Sequence, residues 1–197
     1  MEIKQIIAFV AAALAIFGNV PYLLDVFKKR VQPHPYTWFV WTIVSGVTFF
    51  GALAKGAGVG VIPIAAAEIF TVIIFIFSLR YGFKNITRRD TYFLIAALLG
   101  LIPWAITKDP TISVIIVVSI DFIAFIPTLY KTWLKPSTET PILYEMNVLR
   151  HILILFSLQA YNVATMLHSI VMIIMNTIMT LIIVKRRASV KKRKLVK

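Results

Sequence analysis

Long apolar runs separated by short polar breaks organise the chain. A membrane-spanning helix needs about 20 mostly apolar residues. Seven runs meet or approach that length: 5–27, 36–54, 59–80, 90–107, 111–134, 139–158 and 162–184. They predict an all-α integral membrane protein with seven transmembrane helices. Nothing between the runs is long enough for a separate soluble domain. Residues 6–17, with Ala11, Ala13 and Ala15, have the look of a signal-peptide core. This run is nevertheless expected to stay as a permanent helix, because a later run repeats it.

Composition narrows the class. Of 197 residues, 59% are hydrophobic and only 15% are charged, and the mean hydropathy is +0.87. Soluble domains carry roughly 25% charge, so a soluble fold and a disordered chain are excluded. The absence of cysteine removes disulfides, thiol nucleophiles and Cys-bearing zinc sites. No phosphate-cradling glycine loop and no HExxH run is present, and the chain is expected to be no enzyme and to need no cofactor.

The net charge of +13 is distributed as topology rather than as a nucleic-acid face. With the N-terminus outside, inside connections and the tail hold seventeen Lys and Arg, against three outside, Lys4, Lys55 and Lys108. Cytoplasmic loops carry such an excess, which predicts the N-terminus outside and the C-terminus inside. The basic tail reads as a topology anchor, or as a contact for anionic lipid headgroups. The expected partners are therefore a small-molecule solute and the bilayer, without nucleic acid, and a homo-oligomer is compatible with this.

A shift of 106 residues lays Pro21 on Pro127, Lys29 on Lys135, Pro35 on Pro141, Phe50 on Phe156 and Arg80 on Arg186. The chain divides as a first triple-helix repeat (1–80), a linker loop and helix (81–107), a second triple-helix repeat (108–186) and a basic tail (187–197). One linker helix leaves the two repeats in the same orientation, a 3+1+3 parallel repeat of the kind transporters use. Proline inside a helix removes a hydrogen bond and bends the axis. That makes Pro21 and Pro127 hinge candidates, whereas Pro35 and Pro141 also suit plain helix starts.

The run from Gly18 to Leu24, GNVPYLL, the basic loop, the run from Pro33 to Trp41, PHPYTWFVW, and the second copy from Ile126 to Pro141 carry a resemblance. They resemble the PQ-loop and SWEET-type transporter superfamily, in its bacterial branch. The resemblance implies transport of a small polar solute, a sugar foremost, by alternating access, in the plasma membrane of a prokaryote. It implies that Pro21, Pro35, Pro127 and Pro141 act as hinges at the inner gate, and that Phe50 and Phe156 flank the solute. It sets Asn176 in the seventh helix against Glu68 in the third, where such relatives carry Asn in both. Tyr22 and Thr128 follow the prolines where the name-giving motif has Gln. A proton-coupled carrier of amino acids or other metabolites is the alternative implied by other relatives, and a non-transporting receptor or sorting protein is a third.

Ionisable residues inside membrane helices are costly and tend to face a cavity or a partner. Glu68, Asp121, Glu145, Arg150, His151 and His168 are such residues, with Asn147 and Asn176 as neutral company. His168, Met172, Asn176 and Thr180 fall on one face of the seventh helix, as do Tyr144, Asn147 and His151 on the sixth. Arg150 is a candidate partner for Glu68, Asp121 or Glu145. Glu68, Asp121, Glu145 and His151 are the candidates for proton coupling. Tyr36, Trp38 and Trp41 read as an interfacial aromatic belt, with Trp41 deep enough to face the gate and the solute.

Overall fold

The computed structural model describes residues 2–54, 62–106, 110–158, 161 and 163–195, without side chains at 47–54, 100–101, 103–105, 110–111, 113–114, 164–165 and 191–195. Each apolar run is a helix: α1 (Ile3–Phe27), α2 (Pro35–Ala54), α3 (Ile62–Tyr81), α4 (Arg88–Ile106), α5 (Pro110–Leu134), α6 (Pro141–Ser157) and α7 (Val163–Leu195). A short 3-10 turn, Pro136–Thr138, separates α5 from α6, and the described residues contain no strand. Four stretches are long and apolar enough to cross a membrane: Ile3–Phe27, Ile62–Tyr81, Ile115–Leu134 and Met166–Val190.

Local chemistry sets the helix ends. Pro35 and Pro141 each open a helix, where a missing N–H costs nothing and the fixed φ is already helical. Thr87 caps α4: its Oγ accepts from Asp90 N (3.3 Å), while Thr87 N donates to Asp90 Oδ2 (2.8 Å). This reciprocal pair satisfies donors that the first helical turn leaves open. At the end of α1, Lys29 takes a left-handed conformation, φ 55°, and Arg30 N returns to Asp25 O (2.8 Å), closing the helix as a C-cap does. α7 runs past the apolar run, through the first part of the tail, to Leu195. Lys, Arg and Ala are good helix formers, and no Gly or Pro interrupts this stretch.

The outward faces are apolar. Phe9, Ile16 and Phe17 of α1, Ile69 and Ile76 of α3, Leu99 of α4 and Ile174 of α7 are all exposed. In water such a surface would drive aggregation, whereas hydrocarbon tails solvate it at no cost. The buried layer is thin and sits where helices meet.

Six helices pack as a closed ring in the order α1, α3, α2, α5, α7, α6 and back to α1, and α4 lies outside it against α5 and α2. Side-chain pairs fix the directions. Lys4 Nζ donates to Leu158 O at one end of the α1–α6 pair, and Thr140 Oγ donates to Asp25 Oδ2 (2.6 Å) at the other, so these helices are antiparallel. Phe27 meets Phe77 (ring centroids 4.3 Å) where α1 and α3 both end, so these are parallel. Phe39 on Phe75 makes α2 and α3 antiparallel. Thr128 donating to Thr37 (2.9 Å) does the same for α5 and α2. Asp121 beside His168, and Trp133 O accepting from Arg186, make α5 and α7 parallel. Arg89 over the Tyr130 ring (3.6 Å) sets α4 against α5. The odd-numbered helices thus all run one way and the even-numbered ones the other. The α1–α2, α3–α4 and α5–α6 connections and the basic part of α7 gather at a single end, the basic end.

Trp38 departs from the aromatic-belt expectation. It is 3% exposed and packs on Tyr22 (5.5 Å) and Trp41 (5.1 Å). Trp38, Trp41 and Ser45 recur at helical spacing on the inward face of α2, so the ring faces the bundle instead of the interface.

α1 and α6 approach closely at Gly18. A Cβ on Gly18 would stand 2.8 Å from Met146 Cβ. Overpacking such a contact costs about 1–3 kcal/mol. Gly18→Val is expected to lower the unfolding temperature in detergent, and Met146→Ala in the same chain to recover part of the loss. An unchanged melting curve for Gly18→Val would contradict this packing.

Candidate functional site

Three layers stack along the bundle axis, each built from several helices. Farthest from the basic end is a polar layer. Asp121 (α5) is 3% exposed, and its Oδ2 lies 3.2 Å from His168 Nε2 (α7). The His168 ring meets His151 (α6) edge-on at 5.5 Å. His151 Nδ1 lies 3.3 Å from Ser169 Oγ, and its Nε2 accepts from Arg150 Nη2 (3.0 Å). Helical spacing explains the grouping: Asn147 and His151 are four apart on α6 and meet α7 together. Asn147 Nδ2 donates to Asn176 Oδ1 (3.5 Å), and Asn176 Nδ2 donates to Met172 O (2.7 Å). Across the ring, Ser45 of α2 donates to Glu68 of α3.

The middle layer is aromatic. Tyr22 (α1), Trp38 and Trp41 (α2), Phe125 (α5) and Tyr144 (α6) follow one another, with the Trp41–Phe125 centroids at 5.1 Å and Phe125–Tyr144 at 6.2 Å. These rings meet across the bundle. The threonines beside them tie α2 to α5: Thr37 Oγ donates to Ala124 O (2.7 Å) and accepts from Thr128 Oγ. That tie lies next to Pro127, whose missing N–H loosens this part of α5.

The layer at the basic end is ionic. Lys131 and Glu139 form an ion pair with both side chains essentially unexposed. Lys131 Nζ also donates to Gln32 O, and Tyr144 Oη donates to Glu139 Oε2 (2.9 Å). Arg187 donates from Nε to Pro136 O (3.0 Å) and from Nη2 to Glu139 O. Beside this pair His34 Nε2 stands 3.8 Å from Asp90 Oδ2, both side chains buried.

The structure brings Asp121, His151, Asn147 and Asn176 together on α5, α6 and α7, and puts Glu68 apart from them on α3. Trp41 belongs to the aromatic layer. Arg150 meets His151, and among the described residues it forms no ion pair with Glu68, Asp121 or Glu145. Glu145 is half-buried on α6. Phe156 is 64% exposed and shares the outward stripe of α6 with Leu149, seven residues before it. The side chain of Phe50 lies outside the described residues. Pro127 is buried, and Pro21, Pro35 and Pro141 are half-buried.

Ser169, Lys131, Glu139, His34 and Asp90 escape the sequence reading. Lys131 counts there only as a topology charge. The signal was an acid, Glu139, in a connection otherwise basic. No group of three His, Asp or Glu among the described residues is gathered to hold a metal ion. Compared with protein-family models, curated proteins and solved structures, the chain matches none.

Burial first, then the Lys131 charge, pushes the His34 imidazole down to about 4 from 6.5, against the opposing pull of Asp90. Between those values the unfolded chain binds the proton that the folded one refuses. Folded stability therefore falls as pH drops through 6.5 toward 4, and this contribution is constant above that window. Thermal unfolding in detergent at pH 7 and pH 5 checks this: the wild type should lose more stability on acidification than His34→Gln. Equal losses would exclude His34 as the source.

Proposed function

We propose that the chain is a seven-span membrane transporter of the SWEET-like 3+1+3 kind, with its N-terminus outside and the basic end in the cytoplasm of a prokaryote. It carries a small polar solute by alternating access between the halves α1–α3 and α5–α7. The observation that carries this reading is the ring of helices. Exchanging α1, α3, α2 for α5, α7, α6 reproduces the packing order, and α1 and α5 run the same way. Two parallel halves meeting at α2–α5 and α6–α1 are the arrangement in which a central site can be opened by rocking one half against the other.

The even-numbered helices support seven spans. α2, α4 and α6 have 20, 19 and 17 residues, or about 30, 28 and 26 Å at 1.5 Å per residue. Each connects successive apolar helices that run the same way, which requires a return across the same thickness. Placing the basic end in the cytoplasm agrees with the excess of Lys and Arg there. Ser45 falls on His151 under the shift of 106 residues, and each meets the third helix of its own half. The solute site is then the polar layer, and the aromatic layer below it is a gate closed toward the cytoplasm. Pro21 and Pro127 lie at that gate, one in each half.

A second reading, a proton-coupled carrier, is favoured by the Asp121–His168 pair and its continuation to His151. Imidazole and carboxylate in contact can pass a proton within the bundle, which a facilitator does not need.

Tracer counterflow in proteoliposomes tests both. A panel of sugars, nucleosides, organic acids and amino acids should include a solute that exchanges. Uphill uptake that collapses without an inward proton gradient selects the coupled reading, and indifference to the gradient selects the facilitator. No exchange from folded protein would sink transport. If the prolines flex, Pro21→Ala and Pro127→Ala fold and lose at least about tenfold in rate; wild-type rates in both would remove the hinge role.

A further inference from the structure

Among the described residues Arg150 is a cation of the bundle with no carboxylate ion-paired to it. Glu68 accepts from the Ser45 hydroxyl, Asp121 lies beside His168 and Glu139 is paired with Lys131. Arg150 gives one N–H to His151, and its Nε is buried with no hydrogen-bond partner among the described residues. The residue lies nine positions into α6, about 14 Å from the helix start.

Its direction follows from its neighbours. Met146, four residues earlier, meets Gly18 of α1. Asn147, three residues earlier, meets Asn176 of α7. Arg150 therefore projects between the α1 and α7 contacts, toward the inside of the ring, while Leu149 and Phe156 take the outward stripe.

A guanidinium keeps its proton under ordinary conditions, and an unpaired cation inside a bilayer costs several kcal/mol on most scales. A planar fork of donors fits a carboxylate with two parallel hydrogen bonds. We infer that Arg150 is the anion-recognising residue of the solute site, and that the transported solute carries a carboxylate. The class is a small hydroxy- or amino-carboxylate, a sugar acid included, in place of a neutral sugar. Arg150 has a donor fork left partly unfilled, which one carboxylate fills with two parallel hydrogen bonds. A phosphate ester brings nearly two negative charges near neutrality and would leave one unanswered. The Asp121–His168 pair, reached through His151, supplies acceptors for the hydroxyl or ammonium group of such a solute. This inference rests on the transport reading, and two readouts separate their failures.

The first readout is binding. Purified protein is titrated with lactate, gluconate, alanine and glutamate, and with neutral counterparts: lactamide, glucose, glycerol and a dipeptide amide blocked at its amine. Unfolding temperature is recorded throughout. At least one acid should raise it while its neutral counterpart does not. Arg150→Gln should weaken that acid by about tenfold or more, and Arg150→Lys should retain part of the shift. Acid and neutral forms acting alike, glucose 6-phosphate acting where no carboxylate does, an equal shift in Arg150→Gln, or no shift by any acid on monodisperse wild type would each overturn the inference. The comparison of acid with neutral form needs no variant, so misfolding of Arg150→Gln does not protect it.

The second readout is counterflow of the same solutes. Arg150-dependent binding without exchange keeps the anion site and removes transport. Exchange of neutral solutes at equal rates in wild type and Arg150→Gln keeps transport and removes the anion site.

Discussion

Lys131 and Glu139 meet out of reach of water at the basic end, and five parts of the chain converge on them. Lys131 comes from α5 and Glu139 from the connection to α6. Tyr144 of α6 donates to the carboxylate, Gln32 of the α1–α2 connection accepts from the ammonium, and Arg187 of α7 holds the backbone of Glu139. A buried pair gains little over well-packed apolar residues, but removing one partner costs about 3–5 kcal/mol, because the other charge is left without compensation. The pair therefore acts less as glue than as a constraint on register. α5, α6 and α7 can be arranged only where those partners reach one another. The aromatic layer, directly above, inherits its alignment from that constraint through Tyr144.

The same rule, that a polar group out of water must find a partner inside, separates what was legible in the sequence from what was not. Helix number and most bounds were legible because apolar run length is a direct record of the solvent each segment meets; the end of α7 was not, because its last turns, to Leu195, are basic and carry no apolar run. The inward placement of His151 and Asn176 followed from helical spacing. Trp38 was misread because a Trp near a helix end suits both an interface and a core, and only the facing helix, with Tyr22, decides between them. Lys131 with Glu139, and His34 with Asp90, were illegible for a different reason. Their partners lie across non-helical turns, where spacing in sequence no longer predicts distance. Arg150 was noticed as an intramembrane cation, and its candidate carboxylates were named. It took the structure to show that two of those, Glu68 and Asp121, have Ser45 and His168 beside them instead.

Charge and aromatic packing together give the bundle a polarity along its axis. At the basic end, ions and rings from both halves interlock, and the basic stretch of α7 docks there through Arg186 and Arg187. Toward the other end the described contacts include single hydrogen bonds between polar side chains, Asn147 to Asn176 and Ser45 to Glu68.

The proposed transport depends on α4 crossing the membrane, because one crossing linker makes the halves parallel and none makes them inverted. The chain has no cysteine, so single cysteines report cleanly. Lys55→Cys, Lys108→Cys, Arg88→Cys and Lys135→Cys, treated in intact cells with a membrane-impermeant maleimide, form the most direct test. Labelling at positions 55 and 108 without permeabilisation, and at 88 and 135 only after it, is the predicted result. Labelling of 55 but not of 108 in intact cells would contradict it, leaving α4 on one side and the two halves in opposite orientations.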